Sequence, residues 1–505
     1  MKNNSTDTTT KDSGYNRILK YTSLFGGVQG IVSLITLLKV SIVSRLLGPV
    51  GVGIIDVYNR SIELGKKATD LGISYSAVQA ISEQRGESAE TKIMEYAVKV
   101  VRSWSLWLAI FGTLLFFCLA PLLSQWSFEG DTTYTAMFRL LSLTVGCSAL
   151  MGGELAVLKG ARMLGRVAWY QLLSAVVMLA VVVPCYYFWG FAGIVPGLLL
   201  SAVGILVVAC WHSFRVFPYS VTLFSKQVIV DGVYIIRQGL NYTIAGLLNS
   251  GSYYIVSIYL FTRGNEGEAG CYSYGNLLIS YLSMLVFAAL DNEFFPRLSA
   301  ANKHQNHCNR LVNNQTELLM VLITPLTICF AVCLPLVARL LFDTEFIPLV
   351  EMTQWGVVSL FFRAMMLPPA FLSLSKGESH IFLLQEALSY IFMAVMMMGG
   401  FRLYGLSGLG IGMLLSEIFD WLTVWLITTV RYGFHYSHRV RSLFLLQLPM
   451  LIVMLIICFN TDSWSYVLLG TVITTWSTAF SIRFLYKNTD FIHSLLIKLR
   501  KKRED

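Results

Sequence analysis

The chain has 505 residues, 55% of them hydrophobic and only 13% charged, with a formal net charge of +9. So apolar a composition excludes a soluble or disordered protein and requires many lipid-facing helices. The basic excess is not a nucleic-acid footprint, because no soluble stretch interleaves basic and aromatic residues, and no nucleic-acid partner is expected.

The first twenty residues are polar, with no apolar core ahead of the first span, so no cleavable signal is expected. Apolar stretches then follow at 21–46, 51–80, 103–124, 134–157, 167–188, 191–213, 233–261, 270–296, 316–341, 350–374, 379–400, 404–430, 442–459 and 464–485. Each approaches or exceeds the roughly 20 residues a helix needs to cross a bilayer. Lipid offers the backbone no hydrogen-bond partner, so the spans must be helical. An even number of spans places both termini on one side. Arg45, Arg263, Arg339 and Arg402 fall on the other side, and the remaining loop cations, from Lys2 to Arg503, share the side of the termini. The positive-inside rule makes that side cytoplasmic. The expected fold is an all-α polytopic membrane protein with fourteen transmembrane helices.

Within this array one line is written twice. Gly190, Gly193, Gly197, Leu199, Leu200 and Ser201 recur as Gly405, Gly408, Gly412, Leu414, Leu415 and Ser416, preceded by Trp189 and Tyr404. Gly53/Gly270, Asn59/Asn276, Ser82/Ser299 and Lys159-Gly160/Lys376-Gly377 pair at almost the same separation. Such a long period marks a duplicated bundle, with two six-helix lobes related by a pseudo-twofold along the membrane normal. The expected order is a cytoplasmic tail (1–20), an N-lobe (21–213), a linker (214–232), a C-lobe (233–430), two further helices (431–486) and a basic cytoplasmic tail (487–505). The small residues of the repeat let helices approach closely. The tail Lys498–Arg503 reads as a lipid-headgroup anchor.

The second span departs from the repeat. Asp56, Arg60, Glu63, Lys67 and Asp70 follow spacings of a single helical face, with alternating sign. Their counterparts in the second copy are Ser273, Leu277, Ser280, Met284 and Phe287. Each such charge costs roughly 2.5–3.5 kcal/mol at the centre of a span, so this face needs water or partners. Two readings fit. Asp56–Arg60 and Glu63–Lys67 are structural pairs four residues apart, or the face lines a wet cavity that offers cations to an anionic ligand. Lys39 and Arg60 both lie some 12–14 Å from the external surface at about 1.5 Å per residue, which favours an anion near them. Arg363 stands near the middle of span ten, with Pro368-Pro369 favouring a kink beyond it. Glu154, Glu386, Glu417 and Asp420 are further acids within spans, free to pair with Arg139 or Arg363.

The nine cysteines form no CxxC pair, and neither a disulfide framework nor a zinc site is indicated. His304, His307 and Cys308 cluster in one loop, where a short polar loop explains them as well as a metal does. No metal or cofactor is expected.

The stretch Ser44-Arg-Leu-Leu-Gly-Pro-Val-Gly-Val-Gly53, then Asp70-Leu-Gly-Ile, Leu158-Lys-Gly-Ala-Arg162 and Phe295-Pro-Arg-Leu-Ser299 resemble the polysaccharide transporter family. That family includes the O-antigen flippases and belongs to the multidrug/oligosaccharidyl-lipid/polysaccharide exporter superfamily. The resemblance spans nearly the whole chain. It implies two lobes around a cavity that faces each side of the inner membrane in turn. It also implies an undecaprenyl-pyrophosphate-linked oligosaccharide as substrate, held by cations of the cavity, for which Lys39, Arg60, Lys67 and Arg363 are the matching positions. No nucleotide-binding motif occurs, so an H+ or Na+ gradient or substrate imbalance must drive the cycle. Asp56, Glu63, Asp70 and Glu154 are the ion-coupling candidates. Polysaccharide polymerases or glycosyltransferases are the protein partners such a substrate implies.

Two alternatives remain. A drug or cation exporter of the same superfamily would favour an acidic, aromatic cavity. A membrane polymerase or ligase would need a substantial external loop with catalytic residues, whereas the external loops, such as Ser124–Thr133 and Asn460–Ser463, are short. The chain is therefore expected not to be an enzyme.

Overall fold

A computed structural model of the protein describes residues 7–83, 91–128, 130–265, 267–289, 294–301, 304–460 and 463–488. Residues 1–6 of the first expected tail and 489–505 of the second, Lys498–Arg503 included, lie outside them. The described residues form helices α1 (Asp7–Asp70), α2 (Ile73–Glu83), α3 (Thr91–Ser127), α4 (Thr135–Gly160), α5 (Leu164–Trp189), α6 (Ile194–Phe214) and α7 (Lys226–Arg263). They continue as α8 (Glu268–Ala289), α9 (Phe295–Ala300), α10 (Gln305–Leu341), α11 (Leu349–Ser375), α12 (Ser379–Tyr432), α13 (His438–Asn460) and α14 (Ser463–Asn488).

Among the described residues, ten continuous stretches are long and apolar enough to cross a membrane. Three of these are double-length, Gly27–Asp70, Leu164–Phe214 and Ser379–Tyr432, and each is broken near its middle. Counting both arms of each, with α8 added, recovers the fourteen expected spans. Span two is shorter than its expected 51–80. Helix α1 ends at Asp70, where Leu71 and Gly72 turn to positive φ, and the chain restarts as the short α2.

The repeated glycines account for two of the three breaks. Gly190 (φ 52°, ψ −129°) and Gly405 (φ 60°, ψ −142°) occupy the same backbone region, one that only glycine tolerates. Beyond each turn the next glycine of the motif meets the preceding arm. A Cβ at Gly193 would lie 2.8 Å from the carbonyl carbon of Cys185, and at Gly408 2.7 Å from that of Gly400. The duplicated line is thus a code for a tight helical hairpin, used twice.

By its internal contacts the chain divides into two compact units, Met1–Ala269 and Gly270–Asp505. The first contains α7, which the repeat assigns to the second half. Its core includes Ile73, Ala77 and Ile81 of α2, Val98 and Val101 of α3, Val157 of α4, and Val228 and Ile235 of α7.

In the second unit α11 is central, with 78% of its apolar window buried against 17% for α12. Helix α11 continues through Pro368 and Pro369 with no break. Pro369 has no N–H for the carbonyl of Met365, one turn back, and the Tyr436 hydroxyl donates to that oxygen instead at 3.0 Å. Pro335 of α10 likewise orphans the carbonyl of Ala331, which accepts from Gln354 Nε2 at 3.1 Å and the Tyr466 hydroxyl at 3.3 Å. Neighbouring segments therefore supply donors to these two carbonyls that proline leaves. Where α11 passes into α12, Glu378 accepts from Arg431 Nη2 at 3.1 Å and from the Tyr432 hydroxyl at 2.7 Å. These bonds, Arg431 first, hold its carboxyl down at about 2. Any stability it lends is present above the ordinary carboxylate range and is lost only as pH falls toward 2.

The hairpin geometry carries a contrast between two of its glycines. Gly408→Val should reduce the yield of monodisperse protein in detergent and cost about 1–3 kcal/mol in overpacking. Gly399→Ala, where a Cβ would meet nothing within 4 Å, should leave yield and melting temperature unchanged. Equal yields from both variants would contradict the packing role.

Candidate functional site

The charged face of the second arm of α1 packs along α7. Asp56 is buried and accepts a hydrogen bond from Ser257 Oγ at 2.6 Å. Its other oxygen, Oδ1, lies 3.4 Å from Arg60 Nε, one helical turn on. The guanidinium carbon of Arg60 stands 4.9 Å from the ring centroid of Tyr253, one turn before Ser257. Further along, the aliphatic stem of Lys67 approaches Gly246, where a Cβ would meet its Cδ at 3.1 Å. At the end of α1, Asp70 Oδ1 accepts from Ser74 Oγ of α2 at 2.6 Å. Helix α7 can run this close because Gly72 and Gly239 touch backbone to backbone, with a Cβ on Gly239 placed 2.7 Å from the Gly72 Cα. Beside that contact, Tyr75 and Tyr242 stack at 3.9 Å.

One of the two expected pairs forms. Asp56 pairs with Arg60, whereas Glu63 is exposed and makes no ion pair with Lys67 among the described residues. Lys39 lies apart from both. Its Nζ turns to α5, 3.5 Å from the Met178 sulfur, and it makes no ion pair among the described residues. Lys39 and Arg60 face different helices.

Glu154 is committed elsewhere. Arg102 of α3 grips it through Nε, at 3.0 and 3.2 Å from its two oxygens, and through Nη2 at 3.1 Å. The same guanidinium donates to the carbonyls of Phe217 and Pro218 at 3.1 and 2.8 Å and to Ser213 Oγ at 3.1 Å. Both side chains are buried. This clamp ties α3 and α4 to the end of α6 and to the chain that leads into α7. Arg139 meets neither acid here and lies over the Phe117 ring at 5.2 Å.

The second unit holds its own cluster. Arg363 Nη1 lies 3.6 Å from Glu417 Oε1, joining α11 to the second arm of α12. Asp420, one turn on, accepts from Ser389 Oγ of the first arm. Glu386, one turn before Tyr390, bonds its hydroxyl. Three acids therefore stand around one arginine, and no protein donor among the described residues reaches Glu417 Oε2. No group of three or more metal-ligating side chains is assembled among the described residues. Cys308 is buried with its sulfur 3.2 Å from the Ala301 carbonyl, and His304 and His307 do not converge on it.

Residues 42–351 match the family model described as polysaccharide biosynthesis protein, which is more than half of the chain. The chain belongs to this family. No curated protein matches its sequence. Among solved structures it is similar to the lipid II flippase MurJ in an inward closed conformation, with a TM-score of 0.69 at 12% identity, covering 92% of this chain and 99% of that one. It is also similar to an inward-facing multidrug resistance MATE family transporter of the MOP superfamily, with a TM-score of 0.64 at 16% identity, covering 80% and 94%. A MOP superfamily transporter from Pyrococcus furiosus, whose reverse polarity of binding pocket suggests a different function, matches with a TM-score of 0.51 at 18% identity, covering 81% and 93%. The family member described here therefore has the MOP superfamily fold.

Ser257, Tyr253, Ser389 and Tyr390 escaped the sequence reading, as did Arg102 as the partner of Glu154. Their only local signal is a spacing of four, Tyr253 to Ser257 and Glu386 to Tyr390. Nothing in the sequence pairs Arg102 with Glu154.

Removing one side of the clamp leaves a buried charge alone. Glu154→Ala should destabilise the protein by about 3–5 kcal/mol and lower its melting temperature in detergent. Glu63→Gln, at an exposed carboxylate that makes no ion pair among the described residues, should leave melting unchanged. A tolerated Glu154→Ala would show that the clamp is not structural.

Proposed function

We propose that this protein is a flippase that carries an undecaprenyl-pyrophosphate-linked oligosaccharide, an O-antigen or other surface-polysaccharide repeat unit, across the bacterial inner membrane by alternating access. Its family and fold support a carrier of polysaccharide precursors. The observation that carries the reading is a set of cations within spans that few acids neutralise. Lys39 and Lys67 make no ion pair among the described residues, with Lys39 Nζ 3.5 Å from a thioether, and Arg60 Nε lies 3.4 Å from Asp56. A pyrophosphate cannot enter hydrocarbon unaided, and such cations replace its hydration while the polyprenyl chain stays in lipid.

In this reading Arg60 and Lys67, on the face of α1 that meets α7, form the anion site, Lys39 is a further cation turned to α5, and both termini are cytoplasmic. Arg363 belongs to a second centre with Glu386, Glu417 and Asp420, where an exchangeable H+ or Na+ would meet an acid surplus. Asp56 and Asp70 are hydrogen-bonded and Glu154 is locked to Arg102, so the coupling role passes from these to the α11–α12 acids. That same surplus is what favours the second reading, an exporter of organic cations.

Arg60→Ala should reduce surface glycan about tenfold or more while the protein remains in the membrane, the loss expected for a charge-assisted phosphate contact. Arg60→Lys should restore part of it, since lysine keeps the charge but not the flat face that lies on Tyr253. Normal glycan in cells carrying Arg60→Ala would reject the anion site.

A further inference from the structure

Arg60 is not merely present on α1. It is aimed from α7. We propose that Tyr253 and Ser257 are positioning residues that hold the Arg60 guanidinium in the orientation that receives a phosphate, so that α7 completes an anion site whose cations lie on α1. The inference rests on the reading of Arg60 as a phosphate-holding cation.

A guanidinium presents a flat face and an edge of N–H donors, and recognises phosphate only when both are oriented. The Tyr253 ring takes the face, 4.9 Å from the guanidinium carbon. Asp56 Oδ1 takes the Nε side at 3.4 Å, too long for a strong hydrogen bond. Asp56 is held back by Ser257, whose hydroxyl binds Oδ2 at 2.6 Å. Ser257 is fully buried, so this bond is insulated from water. The hydroxyl thus satisfies half of the carboxylate and keeps it from closing on the arginine. Without it, Asp56 would turn to Arg60 and compete with the anion. Tyr253 and Ser257 lie one turn apart on α7, as Asp56 and Arg60 do on α1, so the two helices meet pair against pair. Gly239 on Gly72 fixes that register at one end, and Tyr254, beside Tyr253, anchors α7 to Ser127 of α3 through a hydrogen bond of 2.8 Å.

The test is binding of geranylgeranyl pyrophosphate to the full-length protein in nanodiscs. Tyr253→Phe keeps the ring and should bind like wild type. Tyr253→Leu should weaken binding roughly five- to tenfold, the range expected for a partly desolvated cation–π contact. Ser257→Ala should weaken it in the same direction. Placed on Arg60→Ala, neither Tyr253→Leu nor Ser257→Ala should add any further loss. Wild-type affinity in both Tyr253→Leu and Ser257→Ala would overturn the inference, as would an equal further loss on the Arg60→Ala background. Those results leave the flippase reading standing provided that Arg60→Ala itself binds weakly. Wild-type affinity in Arg60→Ala would instead overturn the anion site and this inference together.

Discussion

A charge inside hydrocarbon must find a partner, and that constraint organises the interior of this protein. Three solutions are visible. Arg102 and Glu154 close on each other and on two carbonyls, which makes a rigid clamp. Arg363 faces a surplus of acids around Glu417. Along α1 the charges are answered by α7, through the Tyr253 ring at Arg60 and the Ser257 hydroxyl at Asp56. The first solution fixes structure, whereas the proposed function assigns the other two to a ligand and an ion.

The same constraint acts on the backbone. Prolines within α10 and α11 strip donors from Ala331 and Met365, and Gln354, Tyr466 and Tyr436 supply them from neighbouring segments. Buried α11 thereby keeps a continuous helix through two prolines, with Arg363 just above them. The kink expected at Pro368-Pro369 does not break the helix because Tyr436 caps the carbonyl that Pro369 leaves.

What was legible in the sequence follows from the range of each interaction. Fourteen spans are readable because apolar length is local, and the glycine repeat is readable as close packing because its line recurs, whereas its turns at Gly190 and Gly405 appear only in the structure. The Asp56–Arg60 pair was foreseeable from its spacing, yet the equally spaced Glu63 and Lys67 do not pair. Spacing makes an i,i+4 contact available and the neighbouring helix decides whether it forms. Glu154 could not be assigned, since Arg102 lies on another helix and the pairing has no local trace. Helix α7 shows the difference most clearly: the duplication groups it with the helices that follow, whereas its glycine contact and hydrogen bonds seat it in the compact unit of α1.

The anionic lipid-linked cargo is tested most directly by reconstituting the purified chain in liposomes. A polyprenyl-pyrophosphate-linked sugar and ethidium, a hydrophobic cation, would be offered in parallel. The sugar lipid should become accessible to a lectin on the opposite face at a rate that depends on the protein, with no protein-dependent movement of ethidium. Transport of ethidium without movement of the sugar lipid would contradict an anion-carrying role and place the acids around Arg363, not the cations of α1, at the centre of function.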